Sequence, residues 1–502
     1  METDIERLRQ MALLLERENA RLHQRLLALT RELAAARGLA ATQLELELQH
    51  LQEALAARTR QLFGASSEKR PRPAEAASGD QATPPPRHGH GPRAQAQLPL
   101  VEVTHALDVP DQICPKCGGD LQAWTGQCET AEEVDVVERS FRLVRHHRQK
   151  YRCRCGSCVE TALGPPKLIA GGRYSVAFAV AVAIGKYTDH LPLARQVRQM
   201  ARLGVAIDTQ TLWDQLCALA QHLRPTYEAL HTAVLAAPVI GADETTWRLM
   251  QAPQTSKWWA WVVCSPTAVC YRILSARSAQ AAATVLRDYR GIVMIDGYSA
   301  YTALQREIVE SGNRVAFEVA HCWAHVRRKF VDAEPHYPQA TEVLTLIGQL
   351  YAVEARERPA ATRAVQLLAL RQRESAPVVT ALGAWLEAHR HAVLPQSALG
   401  KAIHYARDLW PGLIKFLNNP AIPLDNNATE RSLRGVALGR KNHYGSRSLR
   451  GTEVAALFYS LIESAKLNGV EPAAYLAAAT RGAIANPDTV TLPTDLLTPN
   501  TG

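Results

Sequence analysis

No stretch of this chain is apolar for long enough to cross a bilayer. The most apolar run, residues 176–184, falls far short of the roughly 20 residues a spanning helix needs. The first turns are charged, so no secretory leader is expected, and the sequence reads as a cytoplasmic protein with no membrane partner. Cysteine is scarce outside one short region: six of the ten fall between positions 114 and 158, while Cys217, Cys264, Cys270 and Cys322 stand apart. In a reducing compartment such clustering argues against disulfides and for metal, leaving the four scattered cysteines as core residues. Acid is in the minority, with 48 Asp and Glu against 57 Lys and Arg. The net charge of +9 favours a polyanionic partner, nucleic acid ahead of a membrane surface. Between positions 64 and 97 large apolar side chains almost vanish. A segment of Pro, Ala, Ser, Arg and His cannot offset the entropy of ordering and reads as a linker. Its Arg87-His88-Gly89-His90-Gly91-Pro92-Arg93 stretch is either merely solvated or a contact to DNA phosphates.

What is present suggests several units, since 502 residues exceed one ordinary core. Residues 5–36 carry heptads, with Ile5, Ala12, Asn19, Leu26 and Leu33 at one seam position and Leu8, Leu15, Leu22, Leu29 and Ala36 at the other. Asn19, alone in an apolar seam, fixes register and selects two strands, which predicts a parallel dimer; the alternative is an amphipathic helix folded back on its own protein. Two helical patterns flank Arg202-Leu203-Gly204, the second capped by Asp208 or Thr209. That is a helix-turn-helix reading DNA, or a turn in a plain helical bundle.

From 239 to 330 the pattern becomes strand, strand, strand, helix, strand, helix, strand, helix, the order of a nuclease-like mixed α/β sheet, and helical pattern follows over 331–424 as an insertion. Asp243 and Asp296 are each expected to end an apolar strand, where a carboxylate is cheap to solvate and rigidly aimed. Phosphodiester cleavage needs divalent ions bridged by carboxylates, and two aspartates can supply such ligands. The third acid is proposed as Glu430, in the first turn of a helix capped by Asn426 or Asn427, with Arg431 and Arg434 beside it to hold phosphate. Taken singly, each of these is also a solvated strand end or a capped surface helix.

Together with these acids, several segments carry a resemblance across nearly the whole chain. They are Gln61-Leu62-Phe63-Gly64-Ala65-Ser66-Ser67-Glu68-Lys69, Cys114-Pro115-Lys116-Cys117, Lys186-Tyr187-Thr188-Asp189-His190-Leu191-Pro192-Leu193, and His321-Cys322-Trp323-Ala324-His325-Val326-Arg327-Arg328-Lys329-Phe330. The 425–434 segment, Gly439-Arg440-Lys441-Asn442 and the 461–469 tail complete the set. In this order they resemble the transposases of the insertion sequence 66 family. The resemblance implies a ribonuclease-H-like fold, Asp243, Asp296 and Glu430 as a catalytic triad holding two Mg²⁺ ions, and Cys322 with His325 as a supporting Cys-x-x-His pair. It implies a bacterial enzyme, nucleoid-associated when active, that cleaves element ends and joins them to target DNA, with accessory proteins of the element as further partners. Arg327, Arg328, Lys329, Arg431, Arg434, Arg440 and Lys441 are then candidate DNA contacts. One structural zinc is expected from Cys114 and Cys117 with Cys155 and Cys158, which share the two-residue spacing. The family's second knuckle begins where Cys153 stands, so Cys153, Cys155 and Cys158 compete for two places.

The expected organisation is a zipper coil over 1–63, linker 64–99, zinc-binding module 100–163, helix-turn-helix-like region 164–235, catalytic domain 236–445, helical segment 446–485 and tail 486–502. The competing readings are a DNA-binding regulator built on zipper and zinc, and an inactive transposase relic. The paired aspartates and the Glu among arginines favour the enzyme.

Overall fold

The computed structural model describes residues 140–152, 159–251, 254–312, 316–356 and 362–497, with a few isolated earlier positions. Of the expected coil only residues 28, 29 and 32 are described, all helical. The linker and all six clustered cysteines, including Cys114, Cys117, Cys153, Cys155 and Cys158, lie outside the described residues.

A small antiparallel hairpin, β1 (Lys150–Arg152) and β2 (Val159–Thr161), precedes three helices: α1 (Val176–Tyr187), α2 (Leu193–Arg202) and α3 (Thr209–Leu235). The long apolar run forms α1, whose Val176, Ala179, Val180, Val182 and Ala183 are buried. Ser175 starts it by accepting a hydrogen bond from the Phe178 N–H at 3.1 Å. The turn between α2 and α3 uses Gly204 at φ +80°, which only glycine adopts freely, and Asp208 caps α3 by accepting from the Thr211 N–H at 2.6 Å.

The centre is a five-stranded sheet of β3 (Val239–Gln251), β4 (Gln254–Cys264), β5 (Val269–Leu274), β6 (Ile292–Ile295) and β7 (Glu318–His321), in the order β5-β4-β3-β6-β7. The first three strands are antiparallel, and β6 and β7 add in parallel beside β3. Parallel strands need crossovers, supplied here by α4 (Ala279–Leu286) before β6 and α5 (Ser299–Ser311) before β7. After β7 comes α6 (Trp323–Ala333). The expected insertion holds α7 (Ala340–Glu354), α8 (Arg363–Leu370), a π turn (Arg371–Ser375), α9 (Ala376–His389), α10 (Ala398–Asp408) and α11 (Trp410–Leu413). The chain then returns to the sheet with α12 (Asn427–His443), α13 (Leu449–Leu467) and α14 (Pro472–Ala485).

Two cores follow from the pleat. Ile240, Val293, Ile295 and Val319 join one cluster with residues of α1, α3, α13 and α14, whereas Val239, Met294 and Ala320 join the insertion's cluster around Trp323, Phe330 and Phe416. Large side chains buried this fully contribute about 2–3 kcal/mol each. Arg371 is buried in the π turn, paired with Glu354 at 2.8 Å, and donates to the carbonyls of Phe416, Asn419 and Ile422. It thereby ties α8 to the loop that delivers α12. Among the described residues no helix is long and apolar enough to cross a membrane.

Candidate active site

β3 pairs with β4 from Gly241 to Gln251, but with β6 only from Val239 to Gly241. Beyond Gly241 β6 no longer pairs with β3; Asn426 meets the Ala242 carbonyl and the Ser446 backbone bridges Leu249 instead. Asp243 therefore lies inside β3 and not at a strand end as the sequence predicts; the run Thr245-Thr246-Trp247-Arg248-Leu249 keeps the chain extended against β4. Asp296 does stand where expected, directly after β6. Asp243 and Asp296 each lie two residues beyond the last paired position, Gly241↔Met294, and the charge of Asp296 reaches Asp243.

The third acid arrives on α12. Asn426 is buried and does not cap the helix with its side chain; its Nδ2 donates to the Ala242 carbonyl at 3.0 Å, and its backbone N–H meets Cys322 Sγ at 3.2 Å. Asp425 makes the turn in its place, accepting from the Asn427 N–H at 3.1 Å. Gly241 permits the close approach, since a Cβ there would stand 1.9 Å from Thr429 Oγ1. Glu430, in the first turn of α12, has Oε1 3.6 Å from His325 Nε2. Among the described residues, Cys322, His325 and Glu430 converge with ligand atoms within 4.8 Å of one another. Burial pushes the Cys322 thiol up to about 11, which keeps it protonated as a neutral acceptor between the starts of α6 and α12.

Electrostatics couple the acids. Burial pushes Asp243 up to about 7; the charges of Glu244, Asp296 and Glu430 raise it too, against one hydrogen bond from the Glu244 N–H. Glu244 points to the other face. Its buried carboxylate, also raised by burial, is held by Arg277 at 2.5 Å and by the Tyr301 hydroxyl at 3.1 Å, so it belongs to the scaffold. Sequence reasoning passed over Arg277, Tyr301 and Tyr405. The Tyr405 hydroxyl donates to the Asp296 carbonyl, and the Tyr298 N–H donates to Asp296 Oδ1 at 2.9 Å. No local pattern marks Tyr405, which comes from the insertion.

The cations divide. Arg327, Arg328 and Lys329 lie exposed on the outer side of α6, and Arg431, Arg434 and Lys441 are exposed on α12. Arg440 turns inward, its Nη1 donating to the hydroxyls of Thr245 at 3.0 Å and Thr246 at 2.7 Å, and so braces β3 where β6 has left it.

A buried Asp243 raised by burial and by neighbouring negative charge fits a divalent cation, which would relieve that repulsion. Glu430 Oε1 is buried and has no hydrogen-bond partner, a further sign that a group belongs beside it.

Residues 171–454, from α1 to the start of α13, match the family model described as Transposase IS66 family. The chain belongs to that family. Residues 111–156 match the zinc-finger binding domain of transposase IS66, a span that takes in Cys114, Cys117, Cys153 and Cys155 and stops short of Cys158. The IS66-family chain is 35% identical over 394 residues to the uncharacterized protein y4jD of Sinorhizobium fredii, covering 76% of each. It is 32% identical over 418 residues to y4qI of the same organism, covering 80% of this chain and 75% of that one. Among solved structures, the catalytic domain of Mos1 mariner transposase is 17% identical and covers 40% of this chain and 95% of that one. Its TM-score of 0.14 is too low to carry an argument.

Proposed function

We propose that this IS66-family protein is a DNA transposase whose ribonuclease-H-like sheet performs metal-dependent strand cleavage and strand transfer at Asp243, Asp296 and Glu430. The observation that supports the reading is that buried Asp243 feels the charges of both Asp296 and Glu430, while Asn426 and Thr429 of the α12 segment dock against Gly241 and Ala242. Those three side chains would hold two Mg²⁺ ions. When bound, such ions make the attacking oxygen more nucleophilic and stabilise the leaving oxygen.

The chain's own residues position the substrate. Arg431 directly follows Glu430 and Arg434 lies one turn along, where forked guanidinium donors suit a phosphate, and Arg327, Arg328, Lys329 and Lys441 add exposed positive charge. His325 Nε2 stands 3.6 Å from Glu430 Oε1, near enough to share a bound cation with it. No protein nucleophile is required, so no covalent protein–DNA link is formed. Cys114 and Cys117, with two of Cys153, Cys155 and Cys158, would hold one structural zinc. The N-terminal coil would pair two chains, one for each element end.

The test uses the full chain and DNA carrying the element's own ends. Asp243→Asn, Asp296→Asn and Glu430→Gln should each abolish strand cleavage while binding of an end stays within a few-fold. Cleavage retained in any one of them removes that residue from the site.

A further inference from the structure

The insertion carries a concentration of positive charge that its own folding does not explain. A cavity of about 640 Å³ lies between α6, the loop after α9, and α10. Lys329, Arg390, His391, Lys401, His404 and Arg407 line it, and Asp408 is the one carboxylate among the lining side chains. Glu387, just outside, is shared by Arg390 and Arg407 at 2.9 Å each. Four Lys and Arg side chains thus face two carboxylates. Lys401 is exposed and makes no ion pair among the described residues.

The cavity adjoins the acidic cluster through one side chain. Tyr405 lines it and also donates its hydroxyl to the Asp296 carbonyl, while Lys329 Nζ stands 5.6 Å from the Tyr405 ring centre. A chain bound at Asp296 therefore has its neighbouring phosphates beside this surface. Like charges gathered around one opening repel each other, and two carboxylates with solvent screening offset only part of that repulsion. A phosphate backbone would relieve that repulsion and release condensed counterions, a larger gain than a single small anion provides.

We propose that this cavity binds the phosphate backbone of the DNA strand running through the Asp243–Asp296–Glu430 cluster, which makes the helical insertion a DNA-binding element in its own right. DNA as the occupant rests on the transposase reading above. The contact is to phosphate and is independent of base sequence.

The experiment measures binding of the full chain to a fluorescent mixed-sequence duplex across a salt titration. Arg390→Gln combined with Lys401→Gln should lower affinity at low salt about tenfold and make the slope of log affinity against log salt shallower by about 2. Lys401→Arg should preserve both. Should the double variant melt early, Lys401→Gln alone, at an exposed position, should still reduce the slope by about 1. Unchanged affinity and slope in the folded variants overturn the proposal. Cleavage of element ends by the unaltered chain is read separately: its absence would sink the transposase reading, while the binding comparison would still decide whether this cavity holds DNA.

Discussion

His231 shows how one buried side chain makes stability depend on pH. Its Nδ1 accepts from Arg272 Nη2 at 3.1 Å, so Nε2 carries the hydrogen and donates to the Val285 carbonyl at 2.7 Å. The bond from Arg272 requires the neutral ring, since a protonated Nδ1 cannot accept, whereas the bond to Val285 survives protonation. Burial first, and the adjacent Arg272 charge second, push its pKa down to about 4 from the ordinary 6.5. The unfolded chain therefore binds more protons than the folded one between those values. The stability due to the neutral ring is complete above pH about 6.5 and is lost as the pH falls toward 4, by up to about 3 kcal/mol. His443, pushed down to about 3 chiefly by burial, acts in the same direction. Thermal melts between pH 7 and 4 should fall, and His231→Gln, which lacks the titrating ring, should flatten part of that fall. An identical pH slope in the variant would show that His231 does not set it.

At the level of elements, the decisive contact is α12 lying on β3. Gly241→Ala would drive a methyl into Thr429 Oγ1, with Asn426 Oδ1 at 2.8 Å also in the way. The β3 backbone is fixed on both sides, so the helix must give. A loss of about 1–3 kcal/mol in unfolding free energy is expected, together with loss of cleavage, because Glu430 moves with the helix. Full activity in a stable Gly241→Ala protein would mean that the close approach is dispensable. The strands and crossover helices were legible in the sequence because turn residues such as Ser265-Pro266 separate short apolar segments of β-branched and aromatic residues. The place of Asp243 was misread because a strand's continuation depends on which neighbour it pairs with, and β3 goes on with β4 after leaving β6. The inward turn of Arg440 and the reach of Tyr405 to Asp296 were beyond sequence reading, since both depend on elements that meet only in the folded chain. The sheet's outer edge was equally hidden: the Ser460 and Ser464 hydroxyls on α13 accept from the Tyr271 and Val269 N–H groups, covering β5 where it would otherwise offer unpaired donors.

For the molecule as a whole, two kinds of metal are expected to be separable. Thiolate-bound zinc is held tightly and carboxylate-bound Mg²⁺ weakly, so mild chelation should stop strand cleavage first and reversibly, with about one zinc per chain remaining by metal analysis. Protein free of zinc as purified, yet folded over residues 100–163, would contradict the zinc site. The insertion between α6 and α12 has a further consequence, for synthesis. A chain made as far as β7 already owns both aspartates, but α12 follows only after the whole insertion, whose Arg371 must still grip the loop that leads into it. A chain stopped before α12 thus carries Asp243 and Asp296 without Glu430. Under the proposed function, cleavage would become possible only after most of the chain has been made.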